Sequence, residues 1–165
     1  MAVRRVIKYW ESSAGVLRQV CRRIKIDQGC SESAAEDLLA TAVSNSCLGL
    51  AAPQIGLTSR MFVMRHFFGP QPCAADLFRV ISNPEILWRS STKSVDYEGC
   101  LSIPNTQFSV ARPDAIVVAF DDALSGKKSK QRLQGLSLAL HQHTPLTRPL
   151  IDRSTTLTSW RQPRS

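Results

Sequence analysis

Two hydrophobic periods divide this chain. From Ser33 the apolar spacing is helical: Ala35, Leu38, Leu39, Ala42 and Val43 fall at i, i+3, i+4, i+7 and i+8 and line one face. Ser33-Ala34-Ala35-Glu36 has the S-x-x-E spacing that satisfies the free amides of a first helical turn, so a helix is predicted from Ser33 to Ser44-Asn45-Ser46. Short β-rich runs follow at Met61–Met64, at Phe78–Ile81 before Asn83-Pro84, and at Ala115–Phe120 before Asp121-Asp122. Ser125-Gly126-Lys127-Lys128 reads as a turn, and Gln131–Gln142 as a second helix with Leu133, Leu136 and Leu140 on one side. Val3–Lys8 is a short strand or an extended arm. Helix, then antiparallel strands, then helix argues for α+β rather than alternating α/β.

At 165 residues the chain fits one domain. With 43% hydrophobic and 21% charged residues it is too apolar for a disordered polymer. No run approaches the roughly 18 apolar residues of a membrane span, and the first residues lack a signal-peptide stretch, so a soluble intracellular protein without a membrane partner is expected. Cysteines at 21, 30, 47, 73 and 100 form no C-x-x-C pair, which disfavours disulfide scaffolding. The net charge of +8 attracts polyanions such as ribosomal RNA without a specific site. Because the arginines are scattered and no interleaved aromatics appear, recognition of a specific nucleic-acid sequence is not expected.

The last 22 residues, Thr144–Ser165, contain five Thr, four Arg, three Pro and three Ser. Pro145 and Pro149 each remove a backbone donor, so the second helix should end by Thr144 and residues 144–165 form an irregular tail to a domain spanning 1–143.

Three stretches could carry chemistry. In Gly49-Leu50-Ala51-Ala52-Pro53-Gln54-Ile55-Gly56, small residues admit a ligand close to the backbone, and the Gln54 amide could donate to a developing oxyanion; a plain Gly/Pro turn is the alternative. In Glu98-Gly99-Cys100-Leu101-Ser102-Ile103-Pro104, the Cys100 thiolate could bind a soft or borderline divalent metal ahead of a strand-breaking Ile-Pro, or could be an inert core thiol. Gln142-His143, with His141 before it, could add an imidazole ligand or simply close a helix C-terminus.

Taken together these stretches resemble the peptide deformylases, small α+β metalloenzymes with short antiparallel strands packed around a central metal-site helix. The family pattern G-x-G-L-A-A-x-Q is matched by Leu48–Gln54, with Cys47 in place of the leading glycine, and E-G-C-L-S is complete at Glu98–Ser102. Val16-Leu17-Arg18, Ser82-Asn83-Pro84-Glu85-Ile86 and Ala111-Arg112-Pro113 extend the likeness over residues 3–143. The third pattern, Q-H-E-x-D-H, is met only by Gln142-His143; Thr144 stands at the glutamate, Thr147 at the second histidine, and Pro145 lies between. A reading frame shifted just after His143, or divergence into a non-catalytic relative, would each produce this break.

The resemblance implies metal-dependent removal of the N-formyl group from the initiator methionine of nascent polypeptides. It implies Fe2+, or Ni2+ or Zn2+, on Cys100 and His143, with the Gln54 amide and the Leu101 backbone N–H as oxyanion donors. Leu48, Gly49, Leu50, Glu98 and Gly99 would border the peptide. N-formylmethionyl peptides, possible contact with the ribosome and the bacterial cytoplasm follow as expected partners and location. The alternative is an inactive deformylase-like protein that still binds N-terminal peptides.

Overall fold

The computed structural model describes residues 1–25, 30–65, 78–123 and 125–134. Among these residues one helix, α1 (Cys30–Ser44), precedes seven strands: β1 (Gly49–Ala51), β2 (Met61–Arg65), β3 (Phe78–Arg89), β4 (Lys93–Cys100), β5 (Ile103–Pro113), β6 (Ala115–Asp122) and β7 (Lys128–Gln134). Short 3-10 turns occupy Ser12–Arg18 and Ala52–Ile55. The strands form an antiparallel sheet in the order β1-β2-β3-β6-β7 and a separate β4-β5 hairpin. This is the expected α+β class.

The predicted apolar face of α1 is the buried one. Ala35, Leu38 and Ala42 join Leu50, Ala52, Ile55, Met61, Val63 and Val80 in a core between helix and sheet. The opposite sheet face buries Phe62, Met64, Ile81, Ile116, Val118, Phe120 and Leu133. Alternation along β2 and at Val80-Ile81 of β3 feeds both cores, as a period of two requires when both faces are covered, whereas Ile116, Val118 and Phe120 of β6 all enter the second.

Four expectations need correction. The helix begins at Cys30, so Ser33 lies within it and is not its cap; nothing in Cys30–Glu32 opposes a helical first turn. Asn83-Pro84 does not end its strand: β3 runs on to Arg89 by absorbing two register shifts, with Asn83 held at φ +49°. A bulge places the extra residue without ending the pairing. Ile103-Pro104 does not break the chain either, because β5 starts there and a proline is accommodated at a strand's beginning. Finally, Gln131–Gln134 belong to β7 and not to a helix. The turn at Gly126 (φ +68°) folds the chain back on β6, and full pairing from Asp121↔Lys128 to Ala115↔Gln134, with Leu133 in the core, overrides the helix-favouring propensity of Lys, Gln and Arg. The rest of that expected helix, and the tail, lie outside the described residues.

Candidate active site

The Gln54 loop is built by β1 and the 3-10 turn after it. Ala51 leaves the sheet edge, Pro53 occupies the first turn, and Gly56 closes it at φ +85°, a left-handed conformation that glycine adopts without strain. Gln54 is 6% exposed, and its Oε1 accepts the Ala51 backbone N–H at 2.8 Å. That bond fixes the amide's orientation. Nε2 consequently faces the β4-β5 turn, 3.7 Å from Cys100 Sγ and 3.3 Å from Ser102 Oγ.

Cys100 ends β4, and Leu101-Ser102 form the tight turn into β5. Two residues before Cys100, across a register shift between Gly99 and Cys100, lies Glu98, 8% exposed. Arg112 of β5 meets both of its carboxylate oxygens, Nε to Oε1 at 2.5 Å and Nη2 to Oε2 at 2.6 Å. Such a bidentate pair holds a buried carboxylate that would otherwise carry a heavy desolvation cost.

The amino-terminal arm is the third component. It has no regular secondary structure through Lys8, in keeping with the arm rather than the strand expected there. Ile7 N–H donates to Gln54 O at 2.8 Å, Lys8 Nζ to Leu101 O at 2.7 Å, and Tyr9 N–H to Ser102 O at 3.0 Å. Three consecutive residues therefore touch both halves of the site. Farther back the arm is tied to α1, where Asp37 accepts the Ala2 N–H and Arg4 Nε, and Thr41 Oγ1 accepts the Arg4 N–H. The Arg4 guanidinium, followed by the Ala2 amide, holds the Asp37 carboxyl below the usual aspartate range.

The structure thus brings Gln54, Cys100 and Leu101 together, with Gly99 beside them on β4. Leu48 precedes β1 and is partly exposed, and Gly49 pairs with Met64 at the sheet edge. The Leu50 side chain is 2% exposed and packs into the core, which leaves its backbone as the part it can offer a ligand. The Glu98 carboxylate faces Arg112. His143 lies outside the described residues. Ser102, Arg112 and Lys8 had no assigned role in the sequence, although Ser102 is inside E-G-C-L-S and alternation along a hairpin could have placed Arg112 on the face of Glu98.

The chemistry of the donors bears on a metal. A sulfur at a strand end with an amide N–H aimed at it suits a thiolate ligand. Among the described residues no cluster of three His, Cys, Asp or Glu side chains forms. On the assignment expected from the sequence, Cys100 and His143 would be two protein ligands where a catalytic site of this kind uses three, with Thr147 at the position of the pattern's second histidine. The set is short by one. Cys21 and Cys47 are poor substitutes, since burial pushes both thiols up from their ordinary pKa.

The described residues form a small α+β domain in which a buried amide faces a cysteine-bearing hairpin turn. Residues 3–145 match the polypeptide deformylase family, and the chain belongs to it. It is 36% identical over 161 residues to a peptide deformylase of Clostridium botulinum (strain Alaska E43 / Type E3), covering 94% of this chain and 99% of that one. It is 37% identical over 130 residues to peptide deformylase 2 of Prochlorococcus marinus (strain MIT 9313), covering 78% of this chain and spanning 62% of that relative's length. The Met-Ala-Ser-bound crystal structure of the class I type b peptide deformylase from Acinetobacter baumannii superposes with a TM-score of 0.73 at 26% identity, over 87% of this chain and 91% of that one.

Proposed function

We propose that this chain acts as a peptide deformylase, hydrolysing the N-formyl group from the initiator methionine of nascent polypeptides. The observation that carries the reading is the convergence of the Gln54 amide on the Cys100 sulfur, fixed by the Ala51 N–H. Cys100 and His143 would hold the ion, with Fe2+ proposed and Ni2+ or Zn2+ able to replace it. Such an ion, when bound, lowers the pKa of a bound water towards neutrality.

The chain's own residues do the rest. Gln54 Nε2 and the Leu101 backbone N–H donate to the developing oxyanion, each such donor being worth about 10²–10³ in rate. Leu48, Gly49 and Gly99, with the Leu50 backbone, border the methionine end of the peptide. Glu98 acts through Arg112, holding β4 and β5 in the register that aims Cys100. The Acinetobacter relative's capture of Met-Ala-Ser supports a peptide with an initiator methionine as the ligand class. Nascent chains put the protein near the ribosome, which its +8 charge favours. The bacterial cytoplasm is the proposed location; no helix among the described residues is long and apolar enough to cross a membrane.

Thr144 and Thr147 favour a second reading. Without the glutamate that handles protons, a contribution generally of about 10²–10⁴ is missing, and two protein ligands hold a metal weakly. The chain would then bind N-terminal peptides without cleaving them. Metal content and formate release from a formyl-Met-Ala peptide separate the two readings. One equivalent of iron, nickel or zinc with formate release supports the hydrolase. Metal-free protein that binds Met-Ala supports the binding protein, and a chain that does neither defeats both.

A further inference from the structure

We infer that Lys8 is a positioning residue that sets the Cys100-Leu101-Ser102 turn against the Gln54 amide. The inference rests on the deformylase reading for its kinetic part only. Lys8 Nζ donates to the Leu101 carbonyl at 2.7 Å, and Leu101 is the residue whose N–H is proposed as an oxyanion donor. The Leu101 carbonyl shares one rigid peptide plane with the Ser102 N–H, so holding it pins the Leu101-Ser102 peptide within the turn. The flanking amides complete the clamp, Ile7 on Gln54 O and Tyr9 on Ser102 O. One short segment therefore joins the amide-bearing loop after β1 to the thiol-bearing turn of the β4-β5 hairpin, beside the contacts that Gln54 Nε2 makes with that turn.

The arm is not a loose end that happens to fall here. Val6 is buried in the main core, and Asp37 and Thr41 grip residues 2 and 4, so Lys8 leaves a fixed point. An ammonium bonded to a carbonyl is a charge-assisted hydrogen bond, stronger than a neutral one.

The test compares the full chain with Lys8→Met, which keeps the aliphatic stem, and Lys8→Arg, which keeps the charge. The first readout needs no turnover: the NMR signals of the Gln54 side-chain amide, a group that Lys8 does not touch. Lys8→Met should shift those signals and Lys8→Arg should largely restore them. Unchanged Gln54 signals in Lys8→Met, or an equal shift in Lys8→Arg, overturns the inference. Should Lys8→Met fail to fold, Lys8→Gln takes its place with the same two outcomes. The second readout is formate release: where the wild type turns over, Lys8→Met should lower kcat about tenfold with KM within twofold, in line with the cost of misplaced catalytic groups. A kcat within twofold of wild type overturns the inference. A wild type that releases no formate defeats the deformylase reading instead, while the Gln54 signals still decide Lys8.

Discussion

Replacing Gln54 by alanine perturbs stability and chemistry through opposite ends of one amide. Oε1 accepts the Ala51 N–H, and Ala51 is itself buried, so truncation leaves that donor with no partner. An orphaned buried donor costs about 1–3 kcal/mol, and the lost methylene about 0.8 kcal/mol more. Together that is roughly 2–4 kcal/mol, or a fall in Tm on the order of 10 °C for a chain of this size. At the other end, Nε2 no longer faces Cys100 Sγ and Ser102 Oγ, and formate release should fall by about 10²–10³. Metal content should stay at the wild-type level, because Gln54 is not a ligand. The assay is formate release at a temperature well below the mutant's Tm, beside thermal unfolding and metal analysis of the same sample. Turnover within threefold of wild type would refute the donor role, and an unchanged Tm would refute the argument from the Ala51 amide.

Arg112→Ala leaves the Glu98 carboxylate buried without its bidentate partner and should destabilise the protein by about 3–5 kcal/mol in urea unfolding, whereas replacing both by apolar residues of similar volume should be nearly neutral. Asn83→Ala removes bonds to Ile24 N, Ile24 O and Asp121 Oδ2 at a residue with φ +49°, and should cost about 3 kcal/mol or more by the same measurement. Asp37 has a folded pKa below its unfolded value of about 3.9, so its contribution to stability is complete above that pH and is lost as pH falls through the folded value. Asp37→Asn should therefore flatten the acid limb of a stability-pH curve below about pH 4. His143→Ala should abolish the metal content of the purified chain, and retention of full metal would show that the ligand assignment is wrong.

The α1 face, the strand cores at Met61–Met64 and Ala115–Phe120, and the two stretches that carry Gln54 and Cys100 could be read directly, because each depends on local periodicity or on residue types at close spacing. Other features depend on partners distant in the chain. Gln131–Gln134 read as helix because Leu133 fits that period, yet the backbone bonds offered by β6 made it a strand. Asn83-Pro84 read as a stop, but contacts with Ile24 and Asp121 hold Asn83 in its unusual conformation and let β3 continue. Glu98 could be named from its motif, while its bond to Arg112, fourteen residues on, required the hairpin register. Lys8 carried no local signal. Its meeting with Leu101 spans 93 positions, and proximity across such a separation is created only when core packing brings the arm over the site.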